Sequence, residues 1–291
     1  MTIELDAVGR RGVPTEATWT SRDSMLYNLS IGFGQQQTEG LRYTTENSEG
    51  IELSVLPTFA TSLAQRADRP SFGYFKPHEV VHGQQSVTWH GALPASGSAT
   101  LVCAVDAIED KGSGALVTLT TSAHDREGKP LFDARSGIFL RGHGGFAGSH
   151  TTKPPENPVA SKAREVELAV TIRPEQALYF RLNQDRNPLH SDPTFARRAG
   201  FDRPILHGLC TYGSVVRVLT REFAGGDGDL LRAVTARFRQ PVYPGSTLTV
   251  RARRESASEI RFTAEHDGAT VLENGRIAIG TRTGVPDWAN G

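Results

Sequence analysis

Polar and apolar residues alternate along several stretches in each half of the chain. In the second half these stretches are Leu231 to Arg239, Leu248 to Arg251, Glu259 to Ala264 and Gly268 to Ile279. In the first half they are Gln85 to Trp89, Leu101 to Val105, Leu116 to Thr121 and Gly128 to Leu140. Alternation with a period of two, bounded by Gly and Pro turns, predicts long strands joined by hairpins in antiparallel sheet.

Each half also contains one apolar helix candidate before its strands. In the second half, apolar residues recur at helical spacing after Gly208, and Ala224-Gly225-Gly226 ends the run. A stripe of that length predicts a helix buried in the middle of a domain. The first half has a shorter candidate from Leu56 to Leu63, with Pro57 near its start. The pattern therefore predicts an α+β repeat.

A segment rich in Gly, Pro and small polar residues separates the halves, running from Gly142 to Pro158. We read its glycine-rich start, Gly142 to Phe146, as the beginning of a linker because no helix opens there to receive a phosphate. The predicted organisation is an N-terminal repeat at residues 1–145, a linker at 146–165 and a C-terminal repeat at 166–291.

Composition excludes several classes of function. The 32 basic and 32 acidic residues give a formal net charge of zero, and no basic patch occurs, so we expect no nucleic-acid partner. The apolar runs are too short to span a bilayer, and the N-terminus has no signal-peptide pattern, so no membrane association is expected. Cys103 and Cys210 both lie in apolar runs and are predicted to be free core residues. The expected location is the cytoplasm.

The densest cluster of chemically active side chains is Leu182-Asn183-Gln184-Asp185-Arg186-Asn187-Pro188-Leu189-His190. Pro188 prevents a regular helix, so the segment is predicted to be a tight loop whose side chains converge. Asp185 and His190 can then both contact one water, which is the equipment of general acid–base chemistry. Asn187 can orient the pair or the water. Asp-x-Asn-Pro is also a common turn, and the histidine with a second cluster downstream favours the functional interpretation.

That second cluster is Leu206-His207-Gly208-Leu209-Cys210-Thr211-Tyr212-Gly213, at the start of the predicted buried helix. Gly208 lets another molecule approach an unpaired helix amide closely. This amide, aided by the helix dipole, can polarise a carbonyl oxygen. The alternative is that Gly208 only relieves a steric clash and that His207 caps or packs.

No metal-binding helix, nucleotide-binding loop or nucleophile elbow is predicted from the sequence. The nine histidines are scattered, without His-x-x-x-His on a helix, and there is no Cys-x-x-Cys, so no metal site is predicted. No Rossmann or Walker glycine pattern and no serine nucleophile elbow is present.

Taken together, the motifs resemble those of the R-specific 2-enoyl-CoA hydratases, the MaoC-like or hydratase 2 family, in its two-repeat form. The resemblance includes Ala199 to Gly213 and Ala236 to Gly245 in the second half, and Val81 to Gln85, Asp110 to Gly114 and Arg141 to Phe146 in the first. It implies a double hot-dog fold, in which each of two repeats wraps a long curved antiparallel sheet around a central helix. Relatives with two repeats usually form dimers, so a homodimer is expected.

The resemblance also implies the reaction, which is the reversible hydration of a trans-2-enoyl-CoA to an (R)-3-hydroxyacyl-CoA. Asp185 and His190 would activate a water that attacks C3, Asn187 would orient them, and the Gly208 amide would hold the thioester oxygen. The residues matching substrate- or CoA-contacting positions are His82, Gly83, Lys111, Arg186, Pro188, Leu189 and Phe238. No cofactor is implied, because coenzyme A is part of the substrate. The first half lacks Asp-x-Asn-Pro-x-His and is expected to be catalytically silent, its short helix leaving room for a long acyl chain.

One departure from the family pattern precedes the motif. Relatives usually have Ser-Gly where this chain has Asn183-Gln184, which raises a question about the backbone beside Asp185. Three other functions remain open: a dehydratase acting on acyl-carrier-protein substrates, an acyl-CoA thioesterase of the same fold, and a non-catalytic acyl-CoA-binding subunit.

Overall fold

The computed structural model describes residues 3–35, 40–76, 79–146 and 164–280. Its strands are β1 (Thr15–Trp19), β2 (Val80–Trp89), β3 (Gly97–Asp110), β4 (Gly114–His124), β5 (Pro130–Arg141), β6 (Glu165–Thr171), β7 (Leu231–Phe238), β8 (Thr247–Arg254), β9 (Glu259–His266) and β10 (Ala269–Ile279). Its α-helices are α1 (Ser21–Ser30), α2 (Leu41–Thr44), α3 (Ala60–Ala64), α4 (Gln176–Phe180), α5 (Pro193–Arg198) and α6 (Gly208–Ala224).

The strands form one 10-stranded sheet with the order β1-β3-β4-β5-β2-β7-β10-β9-β8-β6. The second five strands repeat the first five in reverse spatial order, so the two halves are related by a pseudo-two-fold between β2 and β7. Those two strands pair antiparallel from Gln84–Arg237 to Thr88–Ala233. Each stretch predicted from alternation lies in a strand or extends at most two residues beyond one, and the predicted double hot-dog arrangement is confirmed. The two repeats share a single continuous sheet.

Helix α6 confirms the apolar stripe read from the sequence. Tyr212, Val215 and Val216 are fully buried, and the Tyr212 hydroxyl donates to the main-chain oxygen of Val234 at 2.9 Å. Gly225 ends the helix with φ +60°, the left-handed conformation that glycine adopts without a Cβ penalty. Helix α6 packs against β6 and β7, and so its N-terminus is held at a fixed place beside the sheet.

The shorter helix of the first half is a 3-10 turn, Pro57–Phe59, followed by α3. The indole N–H of Trp89 donates to the main-chain oxygen of Pro57 at 3.0 Å. Leu56, Phe59 and Leu63 are completely buried, so this short element is a packed part of the core.

Helix α1 was not predicted, because its residues lack helical apolar periodicity. It begins with a capping box in which Thr20 and Asp23 satisfy each other's backbone N–H groups. The helix crosses into the second half and contacts α4 and the 3-10 turn Arg181–Asn183. The C-terminal end of α1 also packs on α6 at Gly213, where an added Cβ would lie 2.8 Å from the Ile31 side chain. The first half therefore supports the segment that carries Asp185.

The predicted linker at 146–165 lies mostly outside the described residues. Its last residue, Glu165, already begins β6. The glycine-rich segment before it is attached to the β3–β4 hairpin, because the Gly145 N–H donates to Asp110 Oδ1 at 2.9 Å and Gly144 packs closely on the Gly112 main chain. Gly142 to Gly145 are therefore attached to the first half, inside the predicted N-terminal repeat at residues 1–145. The domain boundaries themselves stay a prediction.

Two further expectations concern the cysteines and the membrane. Cys103 and Cys210 are both buried and free, as predicted from their apolar surroundings. Among the described residues, none of the helices has both the length and the apolar character needed to cross a membrane.

Candidate active site

The Asp185 loop begins at the 3-10 turn Arg181–Asn183 and ends at a second one, Pro188–His190. The Asn187 side chain caps the second turn by accepting from the Leu189 N–H at 3.0 Å. The Asn187 main-chain N–H donates to Asp185 Oδ1 at 3.2 Å. Pro188 occupies the first position of the turn, where a missing N–H costs nothing. Asn187 thus orients the carboxylate through its backbone while its side chain stabilises the turn that carries His190.

His190 is half-buried, and its ring has a defined tautomer. Nδ1 lies 2.9 Å from the main-chain oxygen of Ile205, so Nδ1 must carry the proton that this acceptor requires. Nε2 consequently bears the lone pair. Burial lowers the pKa of His190, and the Ile205 carbonyl and the Asp185 charge oppose that shift. The imidazole is therefore poised as a neutral base whose protonated form Asp185 stabilises.

Gly208 is the first residue of α6, and the first N–H groups of a helix have no acceptor within it. An added Cβ here would lie 3.2 Å from the Phe238 ring, so the aromatic ring covers this end of the helix closely. A side chain at position 208 would therefore press against Phe238, which glycine avoids.

The first half contributes His82 and Gly83 to the same site. Gly83 lies at a break in the β2–β5 pairing, between His82–Ile138 and Gln84–Gly137, and such a bulge redirects the neighbouring side chain. The His82 ring centroid is 4.9 Å from that of Phe238.

His82 is close enough to Asp185 for the carboxylate charge to affect its pKa. Burial, and secondarily Arg69, lowers the pKa of His82 to about 4, and the Asp185 charge opposes this. Its Nε2 is buried and has no hydrogen-bond partner among the described residues. A buried polar atom without a partner is uncommon, and here it offers a contact for a bound molecule. The site is thus built at the junction of the two halves.

The remaining predicted residues are Lys111 and three residues of the Asp185 loop. Lys111 lies in the β3–β4 hairpin turn, where its Nζ is 3.1 Å from Glu109. Arg186 and Pro188 are exposed on the loop, and Leu189 is half-buried beside them. The structure therefore gathers Asp185, His190, Gly208, His82 and Phe238. The loop residues form its outer surface, and Lys111 lies on a separate hairpin of the first half.

Two features of the Asp185 loop answer the question raised by Asn183-Gln184. Gln184 has φ +96° and ψ −23°, a region that favours glycine. Glycine, the residue that the family resemblance led us to expect here, adopts this conformation without a Cβ penalty. Asn183 is buried, and its Nδ2 donates to Ser30 Oγ at 3.0 Å and to the Phe180 main-chain oxygen at 3.1 Å. Asn183 thereby ties the loop to α1, a role that periodicity could not reveal.

Asp185, His190 and His207 also form a group with metal-ligand atoms within 4.8 Å of one another. However, the two imidazole rings are stacked, with centroids 3.8 Å apart and planes at 28°. Two histidines on one Zn²⁺ direct in-plane lone pairs at a common point about 2.0–2.1 Å from each nitrogen. In stacked rings the lone pairs lie in nearly parallel planes and do not converge on one point. This arrangement therefore fits acid–base chemistry better than a metal ion shared by the two histidines.

A cavity of about 760 Å³ lies away from this centre. Its lining comes from residues 32–35, 40–43 and 51 of the first half, from β6 and from the C-terminal half of α6. Neither Asp185, His190 nor Gly208 lines it. The room for a long acyl chain was expected beside the short helix of the first half, whereas this cavity lies beside α6.

Comparison with known proteins identifies both halves. Residues 18–142 match the MFE-2 hydratase 2 N-terminal domain, and residues 155–275 match the MaoC like domain. The 3-hydroxyacyl-thioester dehydratase Y of Mycobacterium tuberculosis is 39% identical, over 95% of this chain and 98% of the relative. The enoyl-CoA hydratase ChsH3 of the same organism is 38% identical, over 94% and 97%.

Two solved structures match the fold of this chain. The crystal structure of a MaoC-like dehydratase from Phytophthora capsici matches with a TM-score of 0.83 and 28% identity, covering 96% of this chain and 98% of that one. A double hot-dog protein from Mycobacterium tuberculosis matches in fold alone, with a TM-score of 0.62 and 14% identity over 96% and 98%. The chain therefore belongs to the MaoC-like dehydratase family, in the two-domain form that begins with an MFE-2 hydratase 2 N-terminal domain.

Proposed function

We propose that this protein catalyses the reversible hydration of trans-2-enoyl-CoA to (R)-3-hydroxyacyl-CoA. The observation that carries the proposal is the approach of the Asp185 carboxylate and the His190 imidazole at the junction that also holds Gly208. Their nearest ligand atoms are within 4.8 Å. Two groups that each hydrogen-bond one tetrahedral water at about 2.8 Å are about 4.5 Å apart. The pair therefore has the spacing to share one water.

The groups supply each element of the reaction. The Gly208 N–H donates to the thioester oxygen and stabilises the enolate charge that develops there, an effect worth about 10²–10³ in rate for comparable donors. The water oxygen bonds to C3 while its proton passes to the acid–base pair, for which His190 Nε2 offers a lone pair. A proton from the pair is delivered to C2. One water is consumed, and the protein returns to its starting protonation state.

The names of two relatives support this reaction, since one is named a hydratase of enoyl-CoA and the other a dehydratase of 3-hydroxyacyl thioesters, which is the same reaction in reverse. We place the coenzyme A portion along the first half, with His82, Gly83 and Phe238 beside the acyl thioester and Lys111 toward the CoA phosphates. Arg186, Pro188 and Leu189 form the outer contact surface.

The test is to mix the purified protein with crotonyl-CoA and a longer trans-2-enoyl-CoA and to follow loss of the conjugated-thioester absorbance. An R-specific 3-hydroxyacyl-CoA dehydrogenase reports the product's configuration.

Asp185→Asn is expected to lower kcat by about 10²–10⁴, the usual contribution of a general acid–base group. Asp202→Asn, an exposed matched control, is expected to leave it unchanged. Free thiol instead of hydration would indicate a thioesterase, and a strong preference for acyl-carrier-protein substrates would indicate the related dehydratase. Unchanged turnover in Asp185→Asn would refute the mechanism.

We also propose that no cofactor is needed beyond the coenzyme A of the substrate, that the protein is a homodimer, and that it is cytoplasmic. Dialysis against EDTA is expected to leave the rate unchanged. Light scattering after gel filtration is expected to give twice the chain mass of 31.5 kDa. The edge strands β1 and β6 offer surfaces for pairing. Cell fractionation tests the location.

A further inference from the structure

A third imidazole lies directly behind the acid–base pair. His207 immediately precedes α6 and is 1% exposed. Its ring stacks on the His190 ring with centroids 3.8 Å apart, and on another side it contacts the Phe180 ring at 5.0 Å. His207 therefore limits how far the His190 ring can tilt or shift.

The same side chain holds the backbone of the other member of the pair. His207 Nε2 lies 3.3 Å from the main-chain oxygen of Asp185. Because a carbonyl oxygen only accepts, Nε2 must carry the proton and Nδ1 the lone pair. Nδ1 is buried and has no hydrogen-bond partner among the described residues. A purely structural histidine would be expected to satisfy both nitrogens, so this geometry favours the contact with Asp185 over complete pairing.

The surroundings keep this ring neutral. Burial, and secondarily the neighbouring His190, lowers the pKa of His207 to about 2, with Arg181 adding to the effect and the Asp185 main-chain oxygen opposing it. Across the site, the other ionisable groups that act on this centre among the described residues are His82, Arg69 and the Asp185 carboxylate. A proton that reaches the centre therefore resides on the pair and not on the ring behind it.

We propose that His207 is a positioning residue for the hydration, holding the His190 ring by stacking and the Asp185 main chain by its Nε2–H, so that the two groups meet the same water. This inference rests on the proposed function. His207 touches neither substrate nor water in this role. The competing explanation is that His207 only fills space at the start of α6, and this explanation predicts that a ring of similar shape suffices.

Two variants separate these explanations. His207→Phe keeps an aromatic ring and removes the Nε2–H, whereas His207→Gln keeps a donor and removes the ring. For His207→Phe we expect kcat to fall at least about tenfold, KM to stay within about twofold, and the acidic limb of the kcat profile to shift, because the pair is no longer held. His207→Gln is expected to restore part of the loss. His124→Phe, at a half-buried histidine that ends β4, is the matched control. If His207→Phe loses thermal stability but retains kcat and the pH profile, the proposal is wrong.

A second measurement does not depend on any variant folding or on enzymatic activity. Imidazole ¹⁵N NMR of the parent protein reports the tautomer of each ring between pH 5 and 8. The expected result is His207 fixed as the Nε2–H form without titration and His190 as the Nδ1–H form. Titration of His207 in this range, or the opposite tautomer, would overturn the proposal. A parent protein without hydratase activity but with these tautomers would refute the proposed function and leave the stacked geometry intact.

Discussion

Replacing Gln184 by glycine is expected to stabilise the protein. Gln184 adopts φ +96° and ψ −23° on the exposed surface immediately before Asp185. A residue with a Cβ in left-handed conformation costs about 1–2 kcal/mol. Glycine removes that strain but adds about 0.5–1 kcal/mol of conformational entropy to the unfolded chain. The difference predicts a net gain of about 0.5–1 kcal/mol in the free energy of unfolding.

The control for this change is Gln184→Ala, which removes the same side chain but retains the Cβ and its strain. Thermal unfolding is expected to place Gln184→Gly about 1–4 °C above Gln184→Ala, since 1 kcal/mol corresponds to about 2–4 °C for a large domain. Turnover is expected to stay near the parent value in both, because the backbone path beside Asp185 is unchanged. If the glycine variant is no more stable than the alanine variant, the backbone at Gln184 is not strained and the reasoning fails.

Three other changes test separate parts of the site. His82 and His207, with pKa values lowered from 6.5 to about 4 and about 2, are neutral when folded and protonate on unfolding below about pH 6.5. The contribution of each neutral imidazole to the free energy of unfolding is therefore complete above about pH 6.5 and falls by about 2 kcal/mol at pH 5. A series of Tm measurements from pH 5 to 8 tests this, and the His82→Phe variant should lose the part of the pH dependence that His82 causes. Gly208→Ala places a Cβ 3.2 Å from the Phe238 ring and is expected to lower kcat by about 10²-fold, while Gly91→Ala, in open space, serves as the control. Lys111→Gln is expected to raise KM for enoyl-CoA several-fold with kcat retained, and an equal effect on a pantetheine thioester without the nucleotide would exclude a phosphate contact.

Local pattern in the sequence was sufficient for the long elements. Alternation located strands β2 to β5 and β7 to β10, and helical spacing located α6 from Gly208, because these elements bury enough apolar residues to show a period. Strands β1 and β6 are short, at five and seven residues, and α1 has no apolar periodicity. Their place in the fold depends on contacts with distant parts of the chain, which a local period does not report.

The same distinction between local sequence pattern and long-range contacts applies to the active site. The sequence by itself determined the acid–base loop, because Pro188 and the caps around Asn187 act over a few residues, and it determined the helix start at Gly208. Only the tertiary structure decided that His82 approaches Asp185 through the β2–β7 joint, that Asn183 anchors the loop to α1, and that His207 stacks on His190. These contacts join residues 17 to more than 150 positions apart in the chain. Their geometry is set by the packing of two halves against each other, and packing of that kind leaves no periodic trace in either half.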